Sequence, residues 1–176
     1  SDVSDVSDDG PHAARPVSVD DTTGAHWLVR CYYRARRRLP GLHEHLWGAG
    51  AYAVSQAGRA RWGEFPDVVA DDLWVDSLFG PQEKVVVGAV PAVVRAPRTV
   101  PGLLAVLRRA QRGKTHLVSD GLIGESAGST LRHLSGTVRG VRSGLDAVVY
   151  AGFALLARTG ATTRNGVWER DESSRR

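Results

Sequence analysis

Two adjacent carboxylates, Asp71 and Asp72, followed by five arginines at Arg95, Arg98, Arg108, Arg109 and Arg112, are the residues of this 176-residue chain whose types and order could carry a reaction. A carboxylate within hydrogen-bond reach of a hydroxyl can take its proton as that oxygen attacks an electrophilic carbon. Guanidinium groups, as planar charged donors, suit the phosphate that departs from such a carbon. The pair also has a purely structural reading, because aspartates that open a helix cap it and complement its macrodipole. Spacing alone favours that second reading.

Other constellations are weaker. Gly113-Lys114-Thr115 has the ending of a phosphate-binding loop, but Arg108 stands where the loop needs a glycine, and a helical run rather than a strand precedes it. His43-Glu44-His45 offers metal-capable side chains without a third ligand at sensible spacing, so a solvated turn is expected there.

The elements that must position the acidic pair follow from pattern. Residues 1–24 repeat Ser-Asp-Val and are rich in Asp, Ser, Pro and Gly, a composition that predicts a flexible acidic leader. An amphipathic helix is expected from His26 to Leu39, apolar at Trp27, Val29, Cys31 and Tyr32 and strongly cationic on its other side through arginines 30, 34, 36, 37 and 38. Gly48 to Ser55 reads as a glycine-led strand, with Gly48 and Gly50 where backbone passes close to a neighbour, and Gln56 to Trp62 as a short helix. Asp71-Asp72 then sits at the start of the helical run Leu73 to Phe79. Lys84 to Arg95 predicts one or two strands, and Val100 to Arg112 a helix with Arg108, Arg109 and Arg112 opposite its leucines. Further helices are expected around Ser129 to Val138 and Leu145 to Arg158, before a polar tail that includes Trp168 to Asp171.

Taken in order, these motifs resemble the C-terminal half of the catalytic domain of family 2 glycosyltransferases. The resemblance runs from Trp27 to Leu117 and rests on a Gly-x-Gly-x-Tyr-Ala-x-Ser strand, here Gly48 to Ser55, and on Gly58-Arg59-Ala60-Arg61-Trp62-Gly63-Glu64-Phe65-Pro66-Asp67. The family follows these with an acidic pair, commonly Glu-Asp, whose second member is the base. That position is Asp72, and Asp71 replaces the usual glutamate as a neighbour that orients or tunes it. The resemblance implies substrate contacts at Gly48, Gly50, Arg95, Arg98, Arg108, Arg109 and Arg112. Many relatives carry Gln-x-x-Arg-Trp where this chain has Gln111-Arg112-Gly113-Lys114-Thr115, so the individual arginines are not assigned separate roles.

The expectation is therefore an α/β chain: the acceptor-side half of a GT-A-like domain over residues 25–118, after the leader at 1–24 and before a helical extension and polar tail at 119–176. The implied reaction is inverting transfer of a sugar from a nucleotide-sugar donor to an acceptor hydroxyl. The family places a nucleotide-binding half with an Asp-x-Asp metal site ahead of this segment. No Asp-x-Asp occurs here, so the expected Mg2+ or Mn2+ has its ligands mainly in that other half, no metal ligand is assigned in this chain, and the chain by itself is expected to be inactive.

Charge narrows the partners by sign only. The formal net charge is +4, but residues 1–21 hold six aspartates against Arg15, which leaves the remainder at +9. A single cysteine, Cys31, excludes an intrachain disulfide and points to a reducing, cytoplasmic setting. The longest apolar run, Leu145 to Ala157, is interrupted by Asp146 and is shorter than the ~20 residues a spanning helix needs. The resemblance implies a peripheral contact with the inner face of the membrane, where a lipid-linked or polymer acceptor approaches. The alternative is a non-enzymatic basic module that uses the arginine-rich helix on nucleic acid or an anionic membrane surface, with nucleic acid the less favoured partner.

Overall fold

The computed structural model describes residues 10–39, 44–124, 136 and 138–161. Over these residues the chain is α/β. Strand β1 (Ala13–Asp21) leads to helix α1 (Trp27–Arg36), then β2 (Ala53–Val54), α2 (Gln56–Arg59), α3 (Asp71–Ser77), a 3-10 turn (Pro81–Glu83), β3 (Lys84–Arg95), α4 (Val100–Ser119) and α5 (Val141–Ala161). The sheet order is β2-β1-β3, with β1 antiparallel to β2 and parallel to β3.

The central strand lies inside the stretch expected to be a flexible leader, and for Ala13–Asp21 that expectation is corrected. The polar residues that argued against order are satisfied within the fold. Arg15 is buried, with its Nε donating to the His45 carbonyl and its Nη1 to the Pro16 carbonyl at 2.9 Å. Asp20 is buried against Arg36 Nη1, 3.1 Å away. Pro16 has no N–H to donate, and the β1–β3 register breaks just after it: Pro16 pairs with Val87 and Ser18 with Ala92. Between those pairs β1 contributes Val17, whereas β3 contributes Gly88 to Pro91, so β3 bulges at its own glycine and proline.

Two apolar clusters organise the rest. One joins α1, α4 and α5 through Val29, Tyr32, Tyr33, Leu103 and Phe153. Tyr32 stacks on Tyr150 with ring centres 4.8 Å apart and meets the Phe153 ring edge-on. The other joins one side of the sheet to α3 and the end of α4 through Ala13, Leu46, Trp74, Val75, Phe79 and Leu117. Of β3, Val85, Val87 and Val93 are left exposed while Val86, Ala92 and Val94 are half-buried, the alternation of a strand covered on one face.

The helices expected at residues 26–39, 71–79 and 145–158 are present as α1, α3 and α5, with shifted ends. The eight-residue strand at Gly48–Ser55 reduces to Ala53–Val54, because Gly48 and Gly50 adopt φ of +88° and +72°, outside extended geometry. Helix α4 continues past Arg112 to Ser119, with Gly113 buried in its interior. The helix expected around Ser129–Val138 falls almost wholly outside the described residues, as does the tail at Trp168–Asp171.

Candidate active site

Helix α3 begins with the acidic pair, but neither aspartate is its N-cap. Ala70 holds that position and offers no side-chain bond, so Asp71 and Asp72 occupy the first turn, where negative charge complements the helix dipole. Asp72 is half-buried and engages both carboxylate oxygens. Its Oδ1 accepts from the Leu73 backbone N–H at 2.8 Å, and its Oδ2 accepts from the Gly48 N–H at 3.3 Å. Asp71 is exposed, and its Oδ2 accepts from the Tyr52 hydroxyl at 3.3 Å.

Gly48, whose N–H bonds Asp72, has a left-handed φ that favours glycine there. The position is also crowded, since a Cβ there would lie 3.0 Å from Arg36 Nη2. Four residues along α3, on the same face as Asp72, Asp76 fixes the rest of this segment. It accepts from the Leu46 N–H at 2.6 Å, lies 2.9 Å from His45 Nδ1 and is paired with Lys84 Nζ at 3.1 Å. One helix face thus grips residues 45–48 at two points, and the second point places Gly48 on the candidate base.

Electrostatics separates the two buried carboxyls of α3. Burial drives the Asp72 carboxyl above the ordinary aspartate range, with the charges of Asp71 and Asp76 acting in the same direction and the Gly48 and Leu73 N–H groups opposing it. Burial also works against ionised Asp76, but its bonds from His45, Leu46 and Lys84 prevail and hold it below that range. Tyr52 is pushed up to about 12 by burial and by Asp71 beside it, so at neutral pH it remains a hydroxyl donor.

The expected site residues divide into groups. Asp72, Asp71 and Gly48 come together, with Tyr52 added. Gly50, two residues on, is exposed in a left-handed turn with open space around it. Gly113 of α4 packs on Ala70, which places Arg109 and Arg112, one turn and one residue earlier, on the part of α4 nearest the start of α3. The Arg108 Nε is buried without a hydrogen-bond partner among the described residues. Arg95 and Arg98 are instead grouped around a separate cavity of about 110 Å³, with Asp21, Thr23 and Ala96, at the ends of β1 and β3.

Asp76, His45, Tyr52 and Gly113 are the contributors that pattern reading missed. His45 had the composition of a solvated turn, yet it bonds Asp76 and stacks on Trp47 at 5.2 Å. The available signal for Asp76 was its place four residues after Asp72, on one helix face. The cationic face expected of the first helix is altered in part: Arg34 and Arg38 bind Asp146 of α5 and Arg36 binds Asp20, whereas Arg30 and Arg37 are exposed. Among the described residues no group of three His, Cys, Asp or Glu side chains could hold a metal ion, so they do not furnish a site for the implied Mg2+ or Mn2+. Comparison of the chain with protein-family models, curated proteins and solved structures finds no match.

Proposed function

We propose that this chain supplies the acceptor-side part of an inverting glycosyltransferase, with Asp72 as general base. The observation that carries the reading is the Asp72 carboxyl itself: half-buried, fixed at a helix start by two backbone N–H groups, and made more basic than an ordinary aspartate. A base of raised pKa accepts a hydroxyl proton more readily, and rigid backbone donors hold its orientation. In the step it serves, the acceptor O–H proton passes to Asp72 as the oxygen bonds to the anomeric carbon. The bond from that carbon to the diphosphate breaks on the opposite side, and the nucleoside diphosphate leaves with the electron pair. Arg109 and Arg112 lie on the stretch of α4 that meets Ala70 through Gly113, and we assign them to the diphosphate or to an anionic acceptor.

The resemblance in motif order supports the same reading, as does the Gly48 turn that brings backbone against the base. The test is release of nucleoside diphosphate from a panel of nucleotide sugars by the protein expressed from its complete reading frame. Release that requires a hydroxyl acceptor and yields a product of inverted anomeric configuration is the expected result. No release with any donor and acceptor pair, or a product of retained configuration, would overturn the proposal.

A further inference from the structure

We propose that the outward face of α5 docks on an anionic lipid surface with the helix axis in the plane of the interface. Helix α5 is apolar nearly all round, and such a helix normally has both sides covered. Here one side packs on α1 and α4 through Val149, Tyr150, Phe153 and Ala157. At 3.6 residues per turn, Val141, Leu145, Val148, Gly152 and Leu155 recur along the opposite side. The large side chains of that stripe are exposed: Val141 by 95%, Val148 by 70%, Leu155 by 58% and Leu145 by 49%. From Val141 to Leu155 the stripe runs for about 20 Å, more than scattered surface apolar residues would produce.

Charge identifies what covers it. Asp146 is the sole carboxylate of α5, and it is fully buried on the inward side, clamped by Arg34 and Arg38 at 2.7 and 3.1 Å. The outward side has no acid, while Arg139 and Arg142 at one end and Arg158 at the other are exposed. A second copy laid antiparallel would set the arginines of one end against those of the other with no outward carboxylate of α5 between them. Anionic headgroups supply the missing countercharge, and the acyl boundary accepts the valines and leucines. The clamp on Asp146 keeps α5 on its neighbours, and among the described residues no helix is long and apolar enough to cross a membrane, so the helix lies flat. The proposal does not depend on the transferase reading.

The test is co-flotation of the protein, expressed from its complete reading frame, with vesicles of phosphatidylglycerol and phosphatidylcholine or of phosphatidylcholine alone, at about 0.1 M salt, where the Debye length is about 10 Å. The wild type is expected to float with the anionic vesicles and at least about tenfold less with the neutral ones. Val148→Asp with Leu155→Asp, and separately Arg142→Glu with Arg158→Glu, are each expected to weaken anionic flotation about tenfold or more. Circular dichroism checks that each variant is folded, and the two pairs act through different chemistry, so one suffices if the other unfolds. Absence of flotation, or flotation unchanged in a folded variant, would overturn the proposal. So would a concentration-dependent dimer that Val148→Asp with Leu155→Asp disperses in the absence of vesicle binding, which would assign the face to self-association.

Discussion

At the scale of single residues, burial and nearby like charge make Asp72 harder to ionise, and two backbone donors oppose them without cancelling them. If this carboxyl is the base, its titration appears in the pH dependence of kcat/KM. The acid limb should lie above the ordinary aspartate value of about 3.9. Asp71→Asn removes a neighbouring negative charge that raises Asp72, so the limb should move to lower pH; a limb that stays fixed or rises would show that another group controls it. The acidic pair and Gly48 were legible from residue type and order. His45 and Asp76 were not, because a histidine in a polar run and an aspartate in mid-helix acquire roles only when residues 45–48 fold back on α3.

Among the elements, α3 and α4 meet where Gly113 touches Ala70, and a Cβ at Gly113 would lie 2.9 Å from the Ala70 Cβ. That short side chain cannot swing aside. Gly113→Ala improves intrinsic helix propensity by about 1 kcal/mol, against an overpacking cost of roughly 1–3 kcal/mol. Thermal unfolding should therefore show a net loss, recovered when Ala70→Gly is added, because glycine is tolerated at an N-cap better than alanine. A single Gly113→Ala variant more stable than the wild type would contradict this contact. The role of this glycine is not legible in the sequence, which does not show which side of a long helix meets a neighbour. Periodicity located α1, α3 and α4 because each has an apolar face recurring at helical spacing, and α5 is legible as a long apolar run. Strand β1 escaped for the opposite reason: Arg15 and Asp20 occupy buried positions in it and are satisfied by partners distant in sequence.

Across the whole molecule, the Asp146 clamp ties α5 to α1 and thereby closes one of the two apolar clusters. Although burial disfavours its charged form, bonds from Arg34, Cys31 and Arg38 hold Asp146 below the ordinary aspartate range, as the partners of Asp76 do for that residue. Glu83 is lowered to about 2 by Arg61 and the Gly80 N–H. Groups depressed in the folded state stabilise it above their unfolded values, about 4, and that contribution is lost as pH falls through the folded ones. Asp72 has the opposite sign, since its raised carboxyl favours folding at low pH and opposes it once ionised. Stability should thus fall below about pH 4 as Asp76, Asp146 and Glu83 take up protons on unfolding. Asp146→Ala should remove roughly 3 kcal/mol at neutral pH and reduce the acid slope; denaturant titrations across this range check both, and an unchanged slope would contradict the clamp. The α/β class was legible from alternating strand and helix patterns, whereas the order of the sheet was not, because its middle strand was the one hidden by composition. The central claim is tested most directly by Asp72→Asn in the protein expressed from its complete reading frame, with turnover and nucleotide-sugar affinity measured side by side. Loss of the base predicts kcat lower by about 10²-fold or more with the donor Kd nearly unchanged, whereas turnover near the wild-type value would contradict it.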